Sequence, residues 1–139
     1  MQIIGIGIDM IKIQRIKNSL KNKKFINRIF SKREIILSKN ISNKSSYFSK
    51  RFAAKEAFAK ALGIGFRKNL NFKDIQILND KLGKPYYNID SKIKNLIKKY
   101  KQVKNFQLFL SISDEKEYSI AFAIIQRIKW LKRILLLII

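Results

Sequence analysis

Acidic residues are scarce in this chain, so each one needs a reason. Of 139 residues, 31 are Lys or Arg and only 9 are Asp or Glu, giving a formal net charge of +22. Two carboxylates stand out. Asp9 ends the run Gly5-Ile-Gly-Ile-Asp9, and Glu56 is a lone acid among Arg51, Lys55 and Lys60. The chain has no histidine and no cysteine. That removes the commonest general base, thiolate metal ligands and disulfides. A metal held here would be held by oxygen, which favours magnesium, manganese or calcium. Asp9 and Glu56 are the candidate ligand pair. Each also has a plainer reading. Asp9 could cap a helix starting near Ile11, and Glu56 could form an i, i+4 pair with Lys60 worth about 0.2–0.5 kcal/mol. Residue type and spacing leave both readings open.

The surrounding pattern says what must position these acids. Residues 2–10 alternate as a strand, with Ile4, Ile6 and Ile8 on one face and Gly5, Gly7 and Asp9 on the other. A face of two glycines and an acid lets another backbone pack close. The stretch Arg51-Phe-Ala-Ala-Lys-Glu-Ala-Phe-Ala-Lys-Ala-Leu-Gly-Ile-Gly65 predicts a helix over 47–62, stopped at Gly63. Ala53, Ala57 and Ala61 keep one side of that helix thin, so the glycine face is its natural neighbour. A basic helix is expected over 11–30. Ser31 and Glu34 form a capping-box pattern for a short helix to about Leu37. Strands are expected over 72–78 and 86–89, a helix over 91–101 capped by Ser91, and a hairpin from 106–113 and 118–126. In the second hairpin strand, Ser119, Ala121 and Ala123 again form a small-residue face. The order predicts an α+β fold, a largely antiparallel sheet packed against a long central helix.

Hydrophobic residues make up 47% of the chain, enough for a core in what the length makes a single domain. The charge raises nucleic acid, a membrane surface or an acidic protein as partners. It is also what compositional drift in an AT-rich genome produces, because lysine, asparagine and isoleucine are spread throughout. Met1 runs directly into a strand-like segment without a basic leader, and no stretch reaches the roughly 18 apolar residues of a membrane span. A cytoplasmic protein without a transmembrane segment is expected. Residues 127–139 form a separate basic and apolar extension, expected to be an additional packing element.

Four motifs then combine, in order. Gly5-Ile-Gly-Ile-Asp-Met-Ile-Lys-Ile-Gln-Arg-Ile16 resembles the opening signature of holo-[acyl-carrier-protein] synthases. Arg51-Phe-Ala-Ala-Lys-Glu-Ala-Phe-Ala-Lys-Ala-Leu-Gly63 resembles the second signature almost letter for letter. Gly83-Lys-Pro85 is similar to the third, and Ser111-Ile-Ser-Asp-Glu-Lys-Glu-Tyr118 to the closing hairpin. The resemblance spans roughly residues 3–126, taken as one phosphopantetheinyl transferase domain.

The resemblance implies a 4′-phosphopantetheinyl transferase-like fold and activity. Such an enzyme moves the phosphopantetheine arm of coenzyme A onto a serine of an acidic apo acyl carrier protein and releases adenosine 3′,5′-bisphosphate. It implies a homotrimer with sites between subunits, Mg2+ held by Asp9 and Glu56, and catalytic roles for Glu56 and Lys60. Coenzyme A would be bound by Arg51, Lys55, Lys60, Gly63, Gly65, Gly83, Lys84 and Pro85. Arg15, with Arg28 as a weaker candidate, would meet the carrier. The serine's proton would pass to Glu56 or to a metal-bound water. Whether the carrier serves fatty acid biosynthesis or another pathway stays open. The chain departs from the family pattern at Lys12, in place of an acid, at Ile64, in place of a threonine, and at Phe109, in place of a histidine. A basic nucleic-acid-binding protein and an inactive transferase-like scaffold are the alternatives. The first leaves the four motifs unexplained.

Overall fold

The computed structural model describes residues 1–129. The first strand, β1 (Gln2–Lys12), runs two residues further than its alternation predicts. It pairs antiparallel with β5 (Tyr118–Arg127), which also pairs antiparallel with β4 (Phe106–Asp114). The sheet order is β1-β5-β4. The hairpin and the small-residue face of β5 are as expected, with Ser119, Ala121 and Ala123 buried.

Across that face lies α4 (Lys44–Leu62), the longest helix, with contacts to both β1 and β5. The approach is backbone on backbone. A Cβ at Gly5 would lie 2.3 Å from the Ala61 carbonyl oxygen, and one at Gly7 would lie 1.8 Å from that of Ala57. Only glycine fits either position. Gly63 ends the helix at φ 85° and donates its N–H to the Ala59 carbonyl at 3.0 Å. That left-handed geometry is glycine's own.

Between β1 and α4 the helix expected over 11–30 is two short ones, α1 (Ile13–Ser19) and α2 (Lys23–Ile29), and the short helix expected after Ser31 follows as α3 (Lys32–Ser38). The apolar spacing continues across the break, but Asn22 caps a new helix, accepting from the Lys24 N–H. The Ser31–Glu34 capping box is present. A second, separate sheet is the hairpin of β2 (Gln76–Asn79) and β3 (Pro85–Asn88). Residues Phe72–Asp74, expected as strand, form a 3-10 turn. The helix α5 (Ser91–Lys101) has the expected bounds, with Asp90 rather than Ser91 as its cap.

No described element covers the face of the main sheet opposite α4. Ile6, Ile8 and Met10 on β1, Ile120 and Phe122 on β5, and Phe109 on β4 are all exposed, Ile8 at 58%. The register pairs Ile8 with Phe122 and Met10 with Ile120, so these side chains form one continuous apolar surface. No helix among the described residues is long and apolar enough to cross a membrane. The apolar end of the extension, residues 130–139, lies outside the described residues.

Candidate active site

Gly7 and Asp9 share a strand face, so the contact that presses Gly7 onto α4 also carries Asp9 to the helix. The Lys60 ammonium donates to Asp9 Oδ1 at 3.1 Å and to the Ile8 carbonyl at 2.9 Å. Asp9 therefore does not cap a helix. The helix that follows begins at Ile13, and Lys12 at its cap makes no side-chain bond. Lys60 spends its hydrogen bonds on β1 rather than on Glu56, one turn back.

Glu56 is half-buried, and its carboxyl is held above its ordinary pKa. Burial is the first cause and the nearby charge of Asp9 the second; Lys60 and Arg15 pull it back down. Glu56 thus feels the charges of Asp9, Lys60 and Arg15. Two carboxylates that repel, with an ammonium on one of them, form a site that favours a cation. Among the described residues no group of three or more acids, histidines or cysteines is placed to hold a metal ion. A bound ion would need water or substrate oxygens to complete its shell, which is how magnesium is commonly held.

Arg51 belongs to a different place. Five residues on a helix are about 500°, so Arg51 and Glu56 point about 140° apart around α4. Arg51 is buried, stacked with its guanidinium 3.5 Å from the centre of the Tyr47 ring. It donates to the Tyr47 carbonyl at 3.3 Å and to Asn79 Oδ1 at 2.8 Å, and its Nε has no hydrogen-bond partner among the described residues. It lines a cleft of about 520 Å³ with Lys50, Asn79, Gly83, Pro85 and Asp114. Asn79 in turn donates to the Gly83 carbonyl at 2.9 Å. Gly83 is left-handed at φ 87°, the turn that presents Pro85 to the cleft. Lys84 is exposed on the same turn. A larger but more open groove, about 710 Å³, lies between α1 and the start of α4; Lys17, Leu20, Lys21 and Lys44 line it, and no expected site residue does.

Lys55 is in neither place. It is fully buried, with its ammonium at 2.8 Å from Glu34 Oε1, 2.9 Å from the Phe72 carbonyl and 2.6 Å from the Ile75 carbonyl. Three donors meet three acceptors. Burial lowers its pKa, while Glu34 pushes it back up. The expectation that Lys55 holds coenzyme A phosphates is therefore corrected. Its ammonium is saturated inside the core.

Gly63 and Gly65 follow α4, both left-handed and at its end nearest Lys60. Arg15 is exposed on α1, and Arg28 is exposed on the last turn of α2. Sequence reasoning missed Tyr47, Lys50, Asn79 and Asp114 in the cleft. Two of them left a signal: Asn79 opens the turn-forming run to Pro85, and Asp114 lies in the closing-hairpin motif. Glu34 was read only as a helix cap.

The family model described as the 4′-phosphopantetheinyl transferase superfamily matches residues 5–123. A holo-[acyl-carrier-protein] synthase of Pelagibacter ubique is 58% identical over 91% of this chain and 99% of its own length. One from Zymomonas mobilis is 46% identical over 89% of this chain and 96% of its own. Among solved structures, the synthase of Neisseria meningitidis superposes with a TM-score of 0.82 at 34% identity, covering 91% of this chain and 100% of that one. The Bacillus anthracis synthase, solved in complex with CoA (3′,5′-ADP), superposes at 0.76 and 34% identity, covering 91% and 98%.

Proposed function

The chain belongs to the 4′-phosphopantetheinyl transferase superfamily, as a holo-[acyl-carrier-protein] synthase, and we propose on that basis how its two clusters share the reaction. The protein transfers 4′-phosphopantetheine from coenzyme A to a serine of apo acyl carrier protein. The observation that carries the site assignment is the raised carboxyl of Glu56 beside Asp9, with Lys60 bonded to Asp9.

Asp9 and Glu56 would hold Mg2+, for which an all-oxygen pair short of a full shell is a fitting donor set. When bound, the ion neutralises pyrophosphate charge and makes the β-phosphorus more electrophilic. The carrier's serine oxygen attacks that phosphorus, and the bond to the bridging oxygen breaks. Adenosine 3′,5′-bisphosphate leaves. Glu56 or a water beside it takes the serine's proton. Lys60 stabilises charge building on the transferred phosphate. Arg15, close enough for its charge to act on Glu56, meets the acidic carrier.

The nucleotide end of coenzyme A would sit in the cleft of Arg51, Gly83 and Pro85. Arg51 and the carboxylates lie on different sides of α4, so the cleft of one chain would work with the carboxylates of another. The exposed apolar face of the main sheet supports such an assembly, because a surface of this kind marks a protein interface. We take the assembly to be a homotrimer and its setting to be the cytoplasm.

Incubating the protein with coenzyme A, Mg2+ and apo carrier should add the mass of the phosphopantetheine arm to the carrier. Chelation should abolish it. Transfer that persists without divalent metal would sink the assignment of Asp9 and Glu56.

A further inference from the structure

The cleft is lined by several elements, Ile112 and Asp114 of β4 among them, and two of its walls stand on α4 and on the β2–β3 hairpin. Tyr47, Lys50 and Arg51 stand on α4. Ile77, Asn79, Gly83 and Pro85 stand on the β2–β3 hairpin. That hairpin is not hydrogen-bonded into the main sheet, so something else must fix its position on the helix.

Hydrogen bonds converge there on one buried ion pair. Lys55 reaches from α4 to the carbonyls of Phe72 and Ile75, which lead directly into β2. Glu34 takes the Lys55 ammonium on Oε1 at 2.8 Å and the Ile77 N–H on Oε2 at 3.4 Å. The same Oε1 accepts the Ser31 N–H at 2.9 Å, and the Glu34 carbonyl accepts the Tyr47 hydroxyl at 2.7 Å. Tyr47 is the ring on which Arg51 stacks. The two side chains thereby tie the segment leading into the hairpin, and Ile77 within it, to α4, while Tyr47 is held by the Glu34 main chain. Among the described residues, two other hydrogen bonds join helix and hairpin directly, Arg51 to Asn79 at 2.8 Å and the Tyr87 hydroxyl to the Ala54 carbonyl at 2.6 Å.

We propose that Lys55 and Glu34 are positioning residues for the cleft: their buried pair sets the hairpin wall against the α4 wall and so sets affinity for the nucleotide end of coenzyme A. Neither touches substrate. This rests on reading the cleft as the coenzyme A subsite, and it adds that Lys55 acts there through the 72–79 segment. An apolar side chain at Lys55 would leave the two carbonyls unheld and the Glu34 carboxylate buried without its ammonium. Removing the charge of Glu34 as well relieves the second fault but not the first. Stability and positioning thus separate.

The test compares wild type, Lys55→Met, Lys55→Met/Glu34→Gln and Arg51→Ala. Each is measured for unfolding midpoint, KM for coenzyme A, KM for carrier, kcat, and amide exchange of Ile77 and Asn79 against Ala121 and Ala123 in the main sheet. We expect Lys55→Met to lower the midpoint strongly and the double variant to regain most of it. We expect the double variant to keep a KM for coenzyme A raised about tenfold, with KM for carrier unchanged within about twofold. Exchange should be faster at Ile77 and Asn79 only. If Lys55→Met does not fold, the double variant carries the comparison. Recovery of KM together with the midpoint, or unchanged exchange in the hairpin, overturns the proposal. If Arg51→Ala leaves KM for coenzyme A unchanged, the reading of the cleft falls instead. Hairpin exchange in the double variant then still decides whether the pair holds the two walls together.

Discussion

Lys55 and Lys60 sit five residues apart on one helix and do opposite things. Both belong to an ion pair with an acid distant in sequence. Lys55 meets Glu34 with no exposure on either side chain, and its three donors are used up within the core. Lys60 meets Asp9 with 54% of its side chain exposed, on the rim of the carboxylate cluster. Five residues turn the helix by about 140°, which separates a core position from a rim position. The lesson is about availability. A lysine can serve a substrate when its partner is one the substrate or a metal can replace. Asp9 is replaceable in that sense; two backbone carbonyls and a buried carboxylate are not.

The contrast breaks most visibly at Glu56, which lies between the two lysines. Glu56→Gln should cut kcat by about 10³-fold, on the scale of losing a group that holds the metal, and rapid-quench transfer assays would read it. Its effect on stability should have the opposite sign. The carboxyl's pKa is raised on folding, so the folded chain binds the proton more tightly than the unfolded chain. Deprotonation above the raised value therefore works against the fold. In metal-free protein the variant should melt slightly higher than wild type at neutral pH. That gain should fade as pH falls through the raised value toward the ordinary carboxylate range.

Lys55→Met is next, at about 3–5 kcal/mol of stability in denaturant titrations, because it strands a buried carboxylate. Lys60→Met should do the reverse. It should lose about 10²-fold in kcat and under about 1 kcal/mol of stability, as exposed pairs contribute little. If the two lysines instead show matching losses of stability, the division between core and rim is wrong. The smallest expected effect is that of Arg15→Glu. It should raise KM for carrier about tenfold while leaving coenzyme A binding as it was, and an unchanged carrier KM would remove Arg15 from the interface.

How legible each lysine was follows from chemistry. The glycines of β1 and the alanines of α4 announced a close contact because their only shared property is absence of bulk. Asp9 and Glu56 stood out because acids are scarce here. Lys55 was hidden because it stands beside Glu56 in the sequence and looks like part of the same motif. Its true partner, Glu34, already had a sufficient local explanation as a capping residue. One carboxylate performing two jobs conceals the longer-range one. The break at Leu20–Asn22 escaped notice for a similar reason: apolar spacing ran through it, and a single Asn carried the contrary signal. The face of the main sheet opposite α4 was half legible. Its alternation was plain, yet nothing in one chain says which apolar face stays uncovered.

Lysine, asparagine and isoleucine have spread over most of this sequence, but two positions stand outside that freedom. At Gly5 and Gly7 the obstacle to a Cβ is a carbonyl oxygen of α4, which no change of side chain on the helix removes. Compensation by a second site is therefore closed, and each position has an alphabet of one letter. The interval between strand and helix is inherited as a fixed length, like the gap of a gauge. Turnover can be retuned through every residue around Asp9 and Glu56, but not by altering how far apart their two backbones stand.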